Sequence, residues 1–231
     1  MIPASQILRR AGVLLMDDAN VRWTLAELVD WLDEGIAATV AAKPAAATVT
    51  MNFKPAKGTR QKLPDDQRIV QLLDVVRNLG VNIEGAAGRM IRPTTRSQID
   101  TQQPRWHDPS YVPFQAEARQ FIFDELQPRE FYLFPGNTGT GLVEIVVSQL
   151  PQTVGSRVTG DPTVLASYNI DVGLPDEYQT PLLDYVLYRA HAKEDLAADS
   201  NKATMHYQVF ATSLGIISQV EVAASPNRKR P

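Results

Sequence analysis

Hydrophobic positions recur at helical spacing near both ends of the chain and at strand spacing through its middle. At the start, Ile7, Leu8, Ala11, Leu14 and Leu15 share one face of a short helix over 4–16, which the Asp17-Asp18-Ala19-Asn20 turn ends. Thr24 opens a second helix. Its spacing to Glu27 is that of a capping box, in which each side chain satisfies an orphan N–H of the first turn. Leu25, Leu28, Val29, Leu32, Ile36 and Val40 form the buried stripe, Asp30, Asp33 and Glu34 fall mostly on the other face, and Pro44 stops the helix.

From Ala47 to about Leu150 the period becomes strand-like. Branched and aromatic runs between Gly and Pro punctuation predict strands over 48–53, 69–78, 89–91, 120–126, 130–134 and 142–150. The Gly-, Asn- and Thr-rich segment Pro135 to Gly141 reads as a hairpin connection between the last two. Thr94 to Asp100 predicts a short helix inside this region, capped by the Thr94-Thr95 pair.

Helical spacing returns after Pro175, with Tyr178, Leu182, Tyr185, Val186 and Arg189-Ala190 along one stripe. Asp176 and Glu177 sit in the first turn, where they complement the positive end of the helix dipole. The polar stretch Glu194 to Lys202 turns into another helix with Met205, Tyr207, Phe210 and Leu214 as its apolar positions and Gly215 as its terminator. Pro226 and the Arg228-Lys229-Arg230 run then predict an extended tail. The expected fold class is α+β: an antiparallel helical bundle formed by N- and C-terminal helices, a sandwich- or barrel-like β-rich insertion, and an extended C-terminal tail. The expected boundaries are 1–46 and 161–218 for the bundle, 47–160 for the insertion and 219–231 for the tail.

Composition narrows the function classes. With 231 residues and 44% hydrophobic content the chain can bury a substantial core. A net charge of -3 argues against a dedicated nucleic-acid binder. The absence of cysteine excludes disulfides and thiolate metal sites and suits a reducing cytosol. No signal-peptide pattern follows Arg9-Arg10, and no window approaches the ~20 apolar residues that span a bilayer. A soluble chain is expected.

Candidate chemistry is sparse. None of His107, His191 and His206 has a second histidine at metal-site spacing, and Trp106-His107-Asp108 reads as a loop clamp in which the Trp packs. Pro135 to Gly141 could cradle a phosphate, but it lacks the Lys-Ser/Thr and the following helix of a P-loop. Asp17, Asp18, Asp30, Asp33 and Glu34 are the densest acidic group; a carboxylate pair could serve a hydrolase, yet they lie at a turn and on a solvated face. No Gly-x-Ser-x-Gly elbow is present. Lys54, Lys57, Arg60, Lys62, Arg92, Arg96 and Arg105 could line an acidic partner or a DNA passage, or be ordinary surface cations. No catalytic, cofactor or metal residue is expected.

Several segments together resemble the head-tail adaptor (connector) proteins of tailed bacteriophages, especially the podophage type related to tail tubular protein A. They are Asp17-Asp18 with Arg22-Trp23-Thr24 and Leu28 to Trp31; Arg92-Pro93 with Gln103-Pro104-Arg105-Trp106-His107; and Leu174-Pro175-Asp176-Glu177-Tyr178, Leu183-Asp184-Tyr185, Tyr188-Arg189-Ala190 and Lys193. The resemblance implies a non-enzymatic ring, usually twelve-fold, docked beneath the portal protein after DNA packaging. It implies that the bundle meets neighbouring copies, the insertion faces tail or nozzle proteins, and genomic DNA passes without sequence-specific binding. The setting it implies is the head-tail junction of the virion, assembled in the bacterial host cytoplasm, with no membrane contact.

By position, Gln219, Val220, Val222, Pro226, Arg228, Lys229 and Arg230 would reach the portal, and Trp23, Trp31, Tyr178, Tyr185 and Arg189 would serve contacts between subunits. A tail that orders on binding can wrap a partner, and repetition in a ring multiplies weak contacts. A mildly acidic chain also suits a channel through which DNA slides. The alternatives are a tail-tube or tail-completion protein that meets the adaptor, and a virion-associated hydrolase using the acidic group.

Overall fold

The computed structural model describes residues 2–80, 88–124, 126–193 and 198–224, with side chains described up to Gly215 in the last segment. In chain order the elements are α1 (Ala4–Leu14), α2 (Leu25–Ala42), β1 (Thr48–Phe53), β2 (Gly58–Lys62), β3 (Ile69–Gly80), β4 (Arg92–Pro93) and α3 (Arg96–Gln102). They continue with β5 (Gln120–Phe123), β6 (Glu130–Asn137), β7 (Leu142–Gln149), α4 (Val154–Arg157), α5 (Gln179–Ala192) and α6 (Ser200–Ala224). The class is α+β with a β-rich insertion. Two compact units result: Met1–Ala47 with Leu150–Pro231, and Thr48–Gln149.

In the first unit α1 buries Ala4, Ile7, Leu8 and Ala11, and its start is tied down by the Ala4 N–H donating to the Ile170 carbonyl at 2.8 Å. Its end is a Schellman motif. The Asp17 N–H donates to Gly12 O at 2.9 Å and the Met16 N–H to Val13 O at 3.2 Å, with Met16 in the left-handed region at φ 55°. Glycine adopts that conformation freely, whereas a residue with a Cβ pays about 1 kcal/mol for it. The Thr24–Glu27 capping box is present in both directions. Leu28, Leu32 and Ile36 are buried, and Gly35 lets α5 approach so closely that a Cβ there would lie 3.0 Å from the Tyr185 ring. Ion pairs tie the same two helices, Glu34–Arg189 at 3.0 Å and Glu27–Lys193 at 2.6 Å. Helices α1, α2 and α6 all pack on α5.

The Asp199 carboxylate accepts N–H groups from Asn201 and Lys202 and so caps α6, which buries Ala203, Phe210 and Leu214. Two expectations fail here. Gly215 does not end the helix, which runs on to Ala224, so Gln219, Val220 and Val222 are helical and the tail is not extended from 219. A single Gly costs about 1 kcal/mol inside a helix, and no Pro or second Gly follows between Ile216 and Ala224 to stop it. Pro226, Arg228, Lys229 and Arg230 lie outside the described residues.

The second unit is two sheets, ordered β1-β7-β3 and β2-β6-β5-β4. They share one core of Phe53, Leu72, Val75, Phe121, Phe131, Leu133, Val143, Ile145 and Val147, which makes the insertion sandwich-like. Strand β6 pairs with β2 and β5, whereas β7 pairs with β1 and β3. The expected hairpin between β6 and β7 is therefore a crossing from one sheet to the other. Its ends are packed, with Asn137 buried and a Cβ on Gly141 placed 2.1 Å from the Ala116 carbonyl oxygen, while Thr138 and Thr140 between them are exposed. Strand β2 has no apolar alternation to betray it, because its buried residues are Thr59 and Gln61, and Gln61 exchanges amide hydrogen bonds with the Ala56 backbone. The stretch around Arg89–Ile91 pairs with β3, with the Asn78 N–H donating to Arg89 O and the Ile91 N–H to Val76 O.

Candidate functional site

Among the described residues, the helices of the first unit form a concave surface. The side chains of Tyr185 and Tyr188 project from α5 at i, i+3 spacing, and Tyr207 and Phe210 from α6 at the same spacing, so antiparallel packing brings the pairs together. The rings meet edge-on or tilted: Tyr185–Phe210 at 5.1 Å, Tyr188–Tyr207 at 5.2 Å and Tyr185–Tyr188 at 5.6 Å between centroids. Around them opens a groove of about 560 Å³, walled by Ala38, Ala42 and Lys43 of and after α2 and by Ala211, Leu214 and Gly215 of α6. The Lys43 ammonium lies 5.4 Å from the Tyr178 ring centroid, a cation–π contact. Burial raises the Tyr185 hydroxyl above its ordinary value, with the Glu34 charge adding to it.

Next to the groove the rings of His191 and His206 stack at 5.8 Å, and His206 Nδ1 lies 2.9 Å from Asp184 Oδ1. Burial, then the neighbouring His206 and Lys202, lower the pKa of His191. No group of three or more His, Cys, Asp or Glu able to hold a metal occurs among the described residues.

The acidic candidates are occupied by backbone. Asp17 accepts N–H groups from Val21, Arg22 and Trp23 at 2.9–3.0 Å, and those bonds outweigh partial burial and lower its pKa. Asp33 accepts the N–H groups of Val154 and Gly155 at 2.7 and 3.2 Å at the start of α4; burial nevertheless raises its pKa. Each of these two carboxylates shapes a chain turn, and Asp30 lies close enough to Asp33 to add to the rise in its pKa. In the second unit Trp106 is buried on the outer face of β5 and β6 with Ile99 and Ile122, its Nε1–H donating to Asp100 at 2.8 Å. His107 Nδ1 pairs with the Thr59 hydroxyl at 2.8 Å, and Asp108 accepts the Ser110 N–H. That is the clamp the sequence suggested, with His107 serving a neighbouring strand rather than its own turn.

Over residues 2–230 the chain matches the family described as SU10 adaptor protein. The chain belongs to that family. No curated protein matches it. As an SU10-family adaptor it is a bacteriophage head-tail adaptor, a structural component of the virion.

Within this adaptor the residues assigned to subunit contacts are placed differently from one another. Trp23 and Tyr178 are enclosed by their own chain, Trp23 donating its Nε1–H to the Ala190 carbonyl at 3.2 Å. Tyr185, Arg189 and Trp31 are half-buried; Tyr185 forms the groove floor and Arg189 pairs with Glu34. Of the portal-directed residues, Gln219, Val220 and Val222 fall in the last turns of α6. Sequence reasoning did not single out Tyr188, Tyr207 and Phe210 as one surface, although their i, i+3 aromatic pairs were the available signal.

Proposed function

We propose that this adaptor forms a ring that docks under the portal after DNA packaging and joins the capsid to the tail. The observation that carries the reading is the family match, which spans both units and reaches the last turns of α6. In this reading the helices α1, α2, α5 and α6 act as one bundle whose outer surfaces meet neighbouring copies, with Trp31, Tyr185 and Arg189 as the accessible members of that contact. The segment from Gln219 to Pro231 contacts the portal. Its apolar helical turns lead into three successive cations, so it offers both a helix for a groove and charge for an acidic rim. The Thr48–Gln149 sandwich meets tail or nozzle proteins, and the genome passes through the ring without being read.

The purified chain mixed with its portal should give a ring complex in electron micrographs. Removing Gln219–Pro231 should abolish docking while the circular dichroism and thermal unfolding of the remainder stay those of a folded protein. Docking that is unchanged by the truncation refutes the role given to this segment.

A further inference from the structure

The contact between α5 and α6 contains a pair of imidazoles for which the proposed ring has no use. His191 of α5 and His206 of α6 hold their rings parallel to within 6°, with centroids 5.8 Å apart. His206 is provided for. Its Nδ1 lies 2.9 Å from Oδ1 of the buried Asp184, so a charge on this ring has a counter-charge against it. His191 is not: its Nδ1 is buried and has no hydrogen-bond partner among the described residues. An imidazolium donates from both nitrogens, so a proton added to His191 leaves a buried N–H unpaired beside a second ring that can carry charge.

The surroundings do not relieve this. Burial is the largest penalty on a cation at His191, His206 and Lys202 of α6 add to it, and Asp199 is the one opposing charge among the groups that act on it. The Asp199 carboxylate is already taken by the N–H groups of Asn201 and Lys202 and lies 3.6 Å from the Lys202 ammonium. Elsewhere on α5, Arg189 and Lys193 are paired with Glu34 and Glu27 of α2, while Arg9 and Arg10 of α1 are exposed.

Helix α6 is held by little burial. Of its side chains from Ser200 to Gly215, only Ala203, Phe210 and Leu214 are buried, and a cleft of about 430 Å³ lined by Tyr188, His191, Ala203 and Tyr207 lies along its contact with α5. Elements with few buried contacts open locally at lower cost than the whole fold. Separating the two helices gives both imidazoles to water, where each can take its proton.

We propose that His191 and His206 form an acid-sensitive latch: with one ring uncharged they hold α6 against α5, and with both protonated they drive α6 off while the rest of the helical unit stays folded. The opening uncovers Tyr185 and Tyr188, and it does not depend on what the segment after α6 contacts. The lowered pKa of His191 agrees in sign. A group depressed in the closed state takes up a proton on opening, so opening gains as pH falls from the ordinary value of 6.5 through the folded one.

The chain lacks cysteine, so single thiols can report the opening. Ala203 is 6% exposed, and the thiol of Ala203→Cys becomes fully reactive toward a pyridyl disulfide when α6 leaves α5; Gln208→Cys, at an exposed position, corrects for the effect of pH on the reagent. The ratio of the two rates should rise about fivefold or more between about pH 7.5 and 5.5, since one proton taken up on opening is worth up to about tenfold per pH unit. Adding His191→Gln to Ala203→Cys should abolish the rise. Val29→Cys, at a 3% exposed position of α2, should show no such rise, which separates local opening from unfolding of the unit. No rise in Ala203→Cys, a rise that His191→Gln leaves unchanged, or an equal rise in Val29→Cys overturns the latch.

Discussion

Replacing Asn78 by alanine would remove three buried hydrogen bonds at the end of β3. Its Nδ2 donates to the Ala118 and Arg89 carbonyls at 2.8 and 2.9 Å, and its Oδ1 accepts the Ala118 N–H at 2.8 Å, with the residue only 1% exposed. Ala118 is fully buried, so water cannot replace these partners without opening the sandwich. The Arg89 carbonyl keeps a second partner, the Asn78 N–H, and is the least affected. At about 1 kcal/mol net per bond, and about 1–3 kcal/mol for each buried group left unpaired, the substitution should cost about 3–5 kcal/mol. That is a large share of the ~5–15 kcal/mol that keeps a domain folded. Trp106 is the only tryptophan of Thr48–Gln149, so its fluorescence in a Trp23→Phe/Trp31→Phe background reports this unit alone. The urea midpoint of that signal should fall by about 2 M. A shift below about 0.3 M would refute the reasoning, since it would show that Asn78 is not the pin between β3 and the Ala118 segment.

Gly35→Ala gains about 1 kcal/mol of helix propensity but drives a Cβ to 3.0–3.3 Å from three Tyr185 atoms; a net loss of about 1 kcal/mol is expected in urea unfolding, and a gain would refute the close contact. Asp33 has its pKa raised in the folded state by burial, so its contribution is present below the ordinary value of 3.8 and is lost as pH rises through the folded value. Asp33→Asn should remove that part of the pH slope and leave stability at neutral pH within about 1 kcal/mol, whereas a steep loss there would show that the ionised carboxylate is required. His191 has its pKa lowered, so its contribution is complete above the ordinary value of 6.5 and is lost as pH falls through the folded value. The thermal midpoint of the first unit should decline below about pH 6.5, and His191→Gln should flatten the decline. Glu27 has its pKa lowered by the Lys193 hydrogen bond, with Thr24 adding to it, so its contribution holds above the ordinary value of 4.5 and is lost in acid. Lys193→Met should move that acid transition to higher pH.

Features written in neighbouring residues were legible. The Thr24–Glu27 box, the Thr95 cap of α3 and the strand over 130–134 all depend on short spacing, and all appear in the structure. What depended on distant partners was not legible. The β6–β7 link looks like a hairpin until β2 claims one side of β6, and β2 itself is concealed because its buried residues are Thr and Gln. Gly215 looks like a stop because a local rule says so, yet the helix continues beyond it. The groove needs two aromatic pairs from separate helices, each of which alone reads as ordinary core. Met16 gave no signal at all: only the Schellman turn shows that a side chain counted among apolar residues stands in water.

The first and last segments of the chain build one unit around a contiguous second one, and this has a consequence for synthesis. Thr48–Gln149 is complete as soon as Gln149 leaves the ribosome, and its first and last strands are direct neighbours, Thr48 opposite Ser148, so it can close without waiting for anything downstream. Helices α1 and α2 emerge before it, but their partner α5 is translated last but one, after the whole sandwich. During that interval α2 has α1 and the turn after it, but not α5, to pack against. The middle unit can therefore close first, and the helical unit, on which the proposed contacts with neighbouring copies and the portal lie, is completed only when translation is nearly finished.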